Sequence, residues 1–338
     1  MYNITRIGID LAKQIFQIHG VDNLGQVVLR KQLRRSQMLA FFDKLKPCLV
    51  GIEACGSSHY WSRELQKQGH QVKLIAPQHV KPYVKGNKND ANDAEAICEA
   101  VGRPSIRFVA SKTVEQQDVQ ALHRIRSELI KQRTAKGNQI RGLLAEYGIV
   151  VVRQIAKLRQ AIPEILEDAE NGLTAQLRCL LKGLQEDLMQ LDNRAKELDG
   201  EIQRQGIENV AARRLQEIPG IGPITATAMV CAIGNGTQFQ RGRDMAASMG
   251  LVPRQHSSGG KNRLLGISKR GNAYLRTLLI HGARAVLQVA KHKDDPRSRW
   301  LKALSERRNK NIAAVALANK NARIAWALLT KEQDYQPA

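Results

Sequence analysis

Residues 4–33, ITRIGIDLAKQIFQIHGVDNLGQVVLRKQL, decide the fold of the N-terminal third of this 338-residue chain. Apolar and β-branched residues recur in three short runs, at residues 4–9, 15–21 and 26–33, which is typical of strands. The second and third runs are joined by residues 22–25, DNLG, which favour a tight turn. The stretch therefore predicts an antiparallel meander of three strands.

The next seventy or so residues alternate between helical and strand patterns. A helix is expected over residues 36–45, with Ser36 as its N-cap. The elements expected after it are a buried strand, a helix, a second strand and a further helix, at residues 48–53, 57–68, 71–75 and 90–101. A meander that leads into alternating helices and strands predicts an α/β domain with a mixed sheet covered by helices.

From about residue 113 the pattern becomes helical. Residues 113–147 are expected to form one long basic helix, with an apolar stripe of Val119, Leu122, Ile125, Leu129 and Ile140. Residues 173–202 repeat leucine at helical spacing, as in an antiparallel helical pair or coiled coil. A helical-bundle core and an oligomerisation coil remain equally open here. A bend is expected between these helices, over residues 148–163.

These patterns divide the chain into three expected domains. Residues 1–112 form the α/β domain, residues 113–210 the long-helix arm, and residues 211–330 a mostly helical domain with Gly- and Ser-rich turns. The polar tail after Thr330 is expected to fray.

Charge is the strongest compositional signal. Lys and Arg total 53 against 31 Asp and Glu, which gives a formal net charge of +22 at pH 7. Such an excess favours a polyanionic partner, because phosphate contacts release the counterions condensed on nucleic acid. Aromatic residues make up only 4% of the chain, which argues against recognition mainly by stacking of single-stranded bases. The composition indicates nucleic-acid binding and leaves open whether the protein is an enzyme.

Other functional classes are disfavoured by the sequence. No apolar run is long enough to span a bilayer, and the N-terminal MYNITRIGID lacks a signal-peptide layout, so a cytoplasmic protein without a membrane partner is expected. The cysteines lack metal-ligand spacing and are expected to be free thiols: Cys48, Cys55, Cys98, Cys179 and Cys231.

Four carboxylates form the main candidate site. Asp10 and Glu53 each end an apolar strand, in Ile7-Gly8-Ile9-Asp10 and Leu49-Val50-Gly51-Ile52-Glu53. Asp is depleted in strands and costly to bury alone, so these positions need a partner. Asp90 and Asp93 share one face of a helix start, and the helix dipole favours acidic groups there.

Together these four oxygen donors suit Mg²⁺ or Mn²⁺ better than zinc, and a divalent cation would relieve their mutual repulsion. Metals held in this way can activate a nucleophile and stabilise the leaving oxygen in phosphodiester chemistry. Each residue also has a plainer explanation. Asp10 could form a strand-end turn, Glu53 could be salt-bridged, and Asp90 and Asp93 could be helix caps.

A glycine-rich turn lies in the C-terminal half, at residues 218–226, IPGIGPITA. Apolar residues flank Gly220 and Gly222, which resembles a helix–hairpin–helix. Backbone N–H groups at such a turn can approach a phosphate without reading sequence. The alternative is a tight inter-helix turn with a packing role only.

A basic segment follows at residues 250–272, where a long loop between helices is expected to be functional or disordered. Its glycines leave the backbone open to close approach, and its cations include Arg254, Lys261, Arg263, Lys269 and Arg270. These five side chains are candidate contacts to nucleic acid. His256 lies close to the two serines, but its position in sequence does not make it a base.

The two motifs carry a family resemblance over nearly the whole chain. The order GID, GIE and KNDANDAEAI resembles the RuvC-like arrangement of the ribonuclease H-like superfamily, and in particular the DEDD-type transposases of bacterial insertion sequences, which include Piv-type invertases. The run LVPR…SSGGK…GISKRGN is similar to the transposase domain of the same family, which bears a nucleophilic serine. The match places that serine at Ser258; without the resemblance, Ser258 would be an ordinary loop residue beside Ser257.

The resemblance implies a recombinase that cuts and rejoins the DNA of its own element. By that resemblance Asp10, Glu53, Asp90 and Asp93 bind the metal, and the partners are double-stranded DNA, a structured guide RNA and further copies of the chain in a dimer or tetramer. Two alternatives remain open. One is a RuvC-like endonuclease that resolves branched DNA by water attack without Ser258, and the other is a non-catalytic nucleic-acid-binding protein.

Overall fold

The chain folds into two units, and the computed structural model describes residues 3–86 and 89–336. The first unit contains residues Met1–Gln116 and Ile233–Gln240, and the second contains Gln117–Ala232 and Arg241–Ala338. No helix among the described residues combines the length and apolar character required to cross a bilayer. The division into domains 1–112, 113–210 and 211–330 stays a prediction.

A six-stranded mixed sheet forms the centre of the first unit, in the order β3-β2-β1-β4-β5-β6. The expected meander is confirmed, since β1, β2 and β3 pair antiparallel, and β4 then adds to β1 in parallel. β5 is parallel to β4 and antiparallel to β6. The strand bounds are β1 Arg6–Leu11, β2 Ile15–Val21, β3 Val27–Arg34, β4 Leu49–Glu53, β5 Gln71–Ile75 and β6 Phe108–Val109.

Helices cover both faces of this sheet. Ile7 and Ile9 pack on one face with α1 (Met38–Phe42) and α2 (Ser58–Lys67). The short α3 (Pro77–Val80) follows β5, and the other face of the sheet receives α4 (Asp90–Val101), whose bounds agree with the sequence prediction. The α/β prediction is therefore confirmed.

Ser36 does not cap a helix, contrary to the expectation. It lies inside a 3-10 turn, Arg35–Gln37, and α1 begins only at Met38. The backbone N–H of Arg35 donates to the carbonyl of Gln14 at 2.7 Å, which extends the β2–β3 pairing beyond the last residue of β3. The chain must turn sharply after this bond, and the turn occupies the position where the helix was expected.

Three helices form the arm of the second unit: α5 (Val114–Ala145), α6 (Ile155–Glu167) and α7 (Ala175–Glu208). Their shared core buries part of the leucine repeat, with Leu181 and Leu188 inside, whereas Leu180 is 57% exposed. Asp192 is buried between the helices and pairs with Arg133 at 3.1 Å and Arg159 at 3.0 Å. The buried leucines thus lie in a helical-bundle core, and an oligomerisation role for this arm stays a prediction.

The expected bend lies within residues 148–163, with a turn at Gly148, and α6 then begins at Ile155 and runs through Pro163. Burial of Leu158 and Ile162 offsets the backbone hydrogen bond that Pro163 cannot make. Within α5, Ile125 is 48% exposed, outside the core where the apolar stripe predicted it.

The remainder of the second unit is mostly helical, as expected. A two-stranded antiparallel hairpin, β7 (Pro253–Gln255) and β8 (Leu264–Ile267), replaces the expected loop. The helices are α8 Val210–Gln216, α9 Pro223–Ile233, α10 Gly242–Ser248, α11 Ala273–Ala290, α12 Pro296–Arg307 and α13 Lys310–Lys331.

The tail after α13 is held in place, so the expectation of fraying is wrong for its described residues. Asp334 pairs with Arg214 at 3.3 Å, and the backbone N–H of Tyr335 donates to Glu217 at 2.9 Å. The Tyr335 ring also lies 5.5 Å from the guanidinium of Arg297. The cysteines are free thiols, as predicted.

Candidate metal centre and serine hairpin

Two of the candidate carboxylates end neighbouring parallel strands. In the pairing of β1 with β4, Ile9 lies opposite Ile52, so Asp10 and Glu53 follow side by side. Parallel strands place their carboxyl ends at the same edge of a sheet. The topology therefore places Asp10 and Glu53 at neighbouring positions on one sheet edge.

Glycines on these strands let α4 approach the backbone of the sheet. A Cβ atom on Gly8 would clash with the Ala94 carbonyl oxygen and lie 2.8 Å from the Cα of Cys98. A Cβ atom on Gly51 would lie 2.7 Å from the Cβ of Val101. Side chains two residues apart on a strand share a face, so Asp10 and Glu53 also lie on the face that α4 covers.

The first turn of α4 brings the other two acids to this edge. The side chain of Asn89 caps the helix by accepting from the Asn92 N–H at 3.0 Å. Asp90 and Asp93 therefore do not serve as the N-cap, which removes the plainest alternative for Asp90. Lys88, the first residue of the KNDANDAEAI motif, lies outside the described residues.

Three carboxylates converge. Oxygens of Asp10, Asp90 and Asp93 all lie within 4.8 Å of one another. Glu53 is not part of this tight group, but its charge acts on Asp10. Among the described residues, no ion pair involves Asp10, Asp90 or Asp93. The sequence-predicted set thus meets as three close acids with Glu53 beside them.

The pKa of Asp10 shows what this convergence does. Burial raises it, and repulsion from Asp90, Asp93 and Glu53 raises it further, from 3.8 to about 6, against a lowering by the Leu11 backbone N–H. Clustered carboxylate oxygens are the donors that hard divalent cations prefer. The residues present therefore fit a divalent metal.

Ser258 lies at the tip of the β7–β8 hairpin. Its carbonyl accepts from the Lys261 N–H at 3.0 Å, and the intervening Gly259 and Gly260 have φ angles of +54° and +76°. Two successive positive φ angles define a type I′ turn, which only residues such as glycine adopt readily. The Ser-Gly-Gly-Lys sequence thus builds an ordered turn that exposes Ser258.

The neighbouring serine is engaged. The Ser257 hydroxyl oxygen accepts from the Gln255 side-chain amide at 3.0 Å and from the Arg263 backbone N–H at 3.3 Å. Among the described residues, the Ser258 hydroxyl makes no hydrogen bond. The hairpin is therefore braced by Ser257 and leaves the Ser258 hydroxyl available.

Close backbone packing fixes the base of the hairpin. A Cβ on Gly250, at φ +69°, would lie 2.6 Å from the Arg270 backbone nitrogen, and one on Gly271 would clash with Ser248. The Lys269 N–H donates to the Gly250 carbonyl at 3.2 Å, and Lys269 itself has φ +55°. The five candidate cations are all exposed on or next to this hairpin: Arg254, Lys261, Arg263, Lys269 and Arg270.

The glycine-rich turn connects α8 to α9, as a helix–hairpin–helix would require, but its two glycines differ. Gly220, at φ +91°, packs against the backbone of Gly282 on α11, where a Cβ would lie 2.9 Å from the Gly282 oxygen. Gly222 is exposed, with open space around it, and its carbonyl accepts from the Ala226 N–H at 2.9 Å. Packing alone accounts for Gly220, whereas Gly222 is free to approach a ligand.

One buried polar network was not anticipated from the sequence. His123 of α5 lies 3.0 Å from the Thr227 hydroxyl and 3.0 Å from the Tyr274 hydroxyl. Burial lowers the pKa of His123 to about 4, so the ring is neutral at physiological pH. The network ties α5 to α9 and α11, and no local sequence signal marks it because His123 lies more than a hundred residues from either partner.

The fold and the acidic edge together define a DEDD-type transposase domain with a ribonuclease H-like fold. Residues 7–149 match a profile of IS110 DEDD type described as "Transposase", and residues 212–299 match one described as "Transposase IS116/IS110/IS902 family".

Named relatives extend the match over the whole chain. It is 54% identical over 336 residues to a "Probable family 20 transposase" of Pseudomonas aeruginosa, with 99% of each chain covered. It is 49% identical to the "Transposase for insertion sequence element IS1111A" of Coxiella burnetii, covering 99% of this chain and 92% of that one. Its identity to the IS1328 transposase of Yersinia enterocolitica is 43%, over 98% of each.

The chain belongs to the IS110/IS116/IS902 family of insertion-sequence transposases. Membership implies that it binds DNA and that it cuts and rejoins DNA strands. The sequence-based recognition of the family is confirmed.

Proposed function

We propose that this transposase excises and inserts its own element by metal-dependent chemistry at Asp10, Glu53, Asp90 and Asp93, with Ser258 as nucleophile. The observation that carries the proposal is the convergence of Asp10, Asp90 and Asp93 within 4.8 Å at the carboxyl end of the sheet. Such a group gains little for the fold, because it keeps like charges together in a half-buried place.

The four carboxylates would hold Mg²⁺ or Mn²⁺. When bound, the metal supplies Lewis-acid stabilisation of the charge that develops on phosphodiester oxygens. The protein supplies the rigid edge: Gly8 and Gly51 let α4 lie against the sheet, which fixes the distance of Asp90 and Asp93 from Asp10. At physiological pH, Asp10 is mostly ionised despite its raised pKa, so the site is ready to take a cation.

Ser258 is proposed to attack the phosphorus of a DNA phosphodiester. A bond forms from its Oγ to phosphorus, the bond to one bridging oxygen breaks, and the strand end leaves as a free hydroxyl after taking up a proton. Attack by a hydroxyl of another strand reverses the reaction and restores the serine. Support comes from the exposed type I′ turn and from the engagement of Ser257, which leaves Ser258 as the available hydroxyl.

The partners proposed are double-stranded DNA at the element ends and target, a structured guide RNA, and further copies of the chain as a dimer or tetramer. The exposed hairpin cations Arg254, Lys261 and Arg263, with Lys269 and Arg270, would contact phosphates, as would the N–H groups near Gly222. A guide RNA follows from the family resemblance, and the basic charge is compatible with it. The protein would work in the bacterial cytoplasm, on the DNA of the nucleoid.

Strand-cleavage assays on element-end DNA test the proposal. We expect Ser258→Ala and Asp10→Asn each to lose cleavage while binding DNA as the unchanged protein does. Ser257→Ala is the matched control and should retain most cleavage, because its hydroxyl serves only the hairpin. Full cleavage by Ser258→Ala would exclude Ser258 as the nucleophile and favour attack by water, as in a resolvase. Full cleavage by Asp10→Asn would contradict the proposed role of the metal site in cleavage.

A further inference from the structure

A cleft of about 610 Å³ lies in the first unit, and none of the four candidate carboxylates lines it. It is formed by the start of β2, the end of β3 and the first turns of α2. Its lining combines arginines with apolar and aromatic side chains: Ile15, Arg34, Arg35, Leu39, Tyr60 and Trp61. The metal-dependent chemistry described above uses none of these residues.

The strand register places this cleft at the same end of the sheet as the acids. β1 ends where β2 begins, with Asp10 opposite Gln17, and Ile15 at the start of β2 lies opposite Arg34. Trp61 packs edge-on against Phe16, with ring centroids 5.2 Å apart, on the face opposite α4. The cleft and the carboxylate cluster therefore share one end of the sheet, where Ile15 and Arg34 are on the face of Asp10 and Trp61 packs on the opposite face.

The cleft presents an aromatic ring in a fixed orientation. Tyr60 is 41% exposed, and its ring contacts Trp61 edge-to-face, with centroids 5.1 Å apart and planes at 77°. Trp61 itself is only 3% exposed and serves as the buried support. An exposed ring held by a buried one offers a surface on which a nucleobase can stack with little loss of side-chain freedom.

The cations of the cleft are available to an anion. Arg34 and Arg35 are exposed, and neither guanidinium pairs with a carboxylate among the described residues. The Arg35 guanidinium lies 5.1 Å from the Trp61 ring centroid, which orients it while leaving its N–H groups open. Arginine beside an aromatic ring is the combination that binds the phosphate and the base of one unpaired nucleotide.

We propose that this cleft binds an unpaired nucleotide of the DNA strand that is cut at the carboxylate cluster. The base stacks on Tyr60 and the flanking phosphates contact Arg34 and Arg35. Stacking requires a base that has left its duplex neighbour, so the cleft selects locally opened DNA over intact duplex. The inference rests on the proposed function, since it takes the strand to pass the same sheet end.

The test is a binding measurement that does not depend on cleavage. Full-length Asp10→Asn protein is titrated by fluorescence anisotropy onto an intact duplex and onto the same duplex with a mismatched bubble. Adding Tyr60→Ala should weaken binding to bubbled DNA at least about fivefold, which is the effect expected when one base no longer stacks. Binding to the intact duplex should be unchanged. Tyr60→Phe keeps the ring and should bind as Asp10→Asn alone does. Tyr147→Ala, which removes a tyrosine that is also 41% exposed but lies in the second unit, is the matched control.

A second variant covers the case in which Tyr60→Ala fails to fold. Arg34→Ala removes an exposed side chain and should weaken binding to bubbled DNA and lower its salt dependence. A 2-aminopurine placed in the bubble should be quenched by the Tyr60 protein and not by Tyr60→Ala. Equal losses on duplex and bubble, no loss in either variant, or a loss seen only with single-stranded RNA would each overturn the proposal. If Asp10→Asn retained cleavage, the catalytic proposal would be wrong. The binding results would be unaffected, so the two proposals can be tested separately.

Discussion

Replacing Asp10 by Asn should make the metal-free protein more stable at neutral pH while abolishing cleavage. The folded state holds the Asp10 carboxyl at a pKa of about 6, against an ordinary value of 3.8, first because it is partly buried and second because Asp90, Asp93 and Glu53 repel its charge. Because folding raises this pKa, the folded state holds its proton more tightly. The associated penalty is absent below pH 4, grows as the pH rises towards 6 and is full above it.

The size of the effect follows from this difference. The displacement from 3.8 to about 6 corresponds to at most about 3 kcal/mol, and we expect about half of that, because Asp10 is partly open to screening by water. Urea unfolding in EDTA would measure the free energy of unfolding at pH 4, 5, 6 and 8. The stabilisation of Asp10→Asn over the unchanged protein should appear between pH 4 and 6 and then level off. Asp43→Asn, at the exposed end of α1, is the control carboxylate.

Added Mg²⁺ should make the unchanged protein more stable than Asp10→Asn, which reverses the order expected without metal. The unchanged protein should gain stability, because a ligand that binds only the folded state stabilises it, whereas Asp10→Asn should gain less. A pH-independent difference between the two proteins would refute the account of Asp10. So would a loss of stability in Asp10→Asn above pH 6.

Three further predictions concern the glycines and the hairpin. Gly8→Ala should lower the free energy of unfolding by about 2 kcal/mol in urea titrations, because its Cβ would enter the backbone of α4, whereas Gly56→Ala, with open space around it, should change little. Gly220→Ala should likewise destabilise the second unit, because Gly220 packs against Gly282. Gly222→Ala should keep the melting temperature and weaken duplex binding. The opposite pattern would assign the packing role to Gly222 and the DNA contact to Gly220. Arg254→Ala should reduce the slope of log affinity against log salt by about 1, as one lost phosphate contact requires, and an unchanged slope would contradict contact at this residue.

Much of the first unit could be predicted because its signals are local. Period-two alternation identified β1, β2 and β3, and the bounds of α4 followed from helical spacing after the turn-prone residues. Ser36 was assigned wrongly because its cap signal was overridden by a β2–β3 hydrogen bond. The bend expected within residues 148–163 is present, and burial in the arm core lets α6 continue through Pro163.

The β7–β8 hairpin could be predicted only in part. Gly259 and Gly260 signal a turn, but the sequence did not show that β7 and β8 pair around it or that Ser257 braces it. The buried His123 network and the Tyr60 cleft are further from any sequence signal. Each depends on residues from separate elements that only folding brings together.

The sequence by itself determined the charge, the strand-end position of Asp10 and Glu53, and the shared helical face of Asp90 and Asp93, since each depends only on composition or on spacing along one element. Tertiary structure decided that Asp10, Asp90 and Asp93 lie within 4.8 Å of one another. That distance depends on how closely α4 packs on the sheet, which Gly8 and Gly51 permit through contacts with residues about 50 to 90 positions away. Packing between distant segments, rather than spacing along the chain, brings three of the four acids together, with Glu53 beside them.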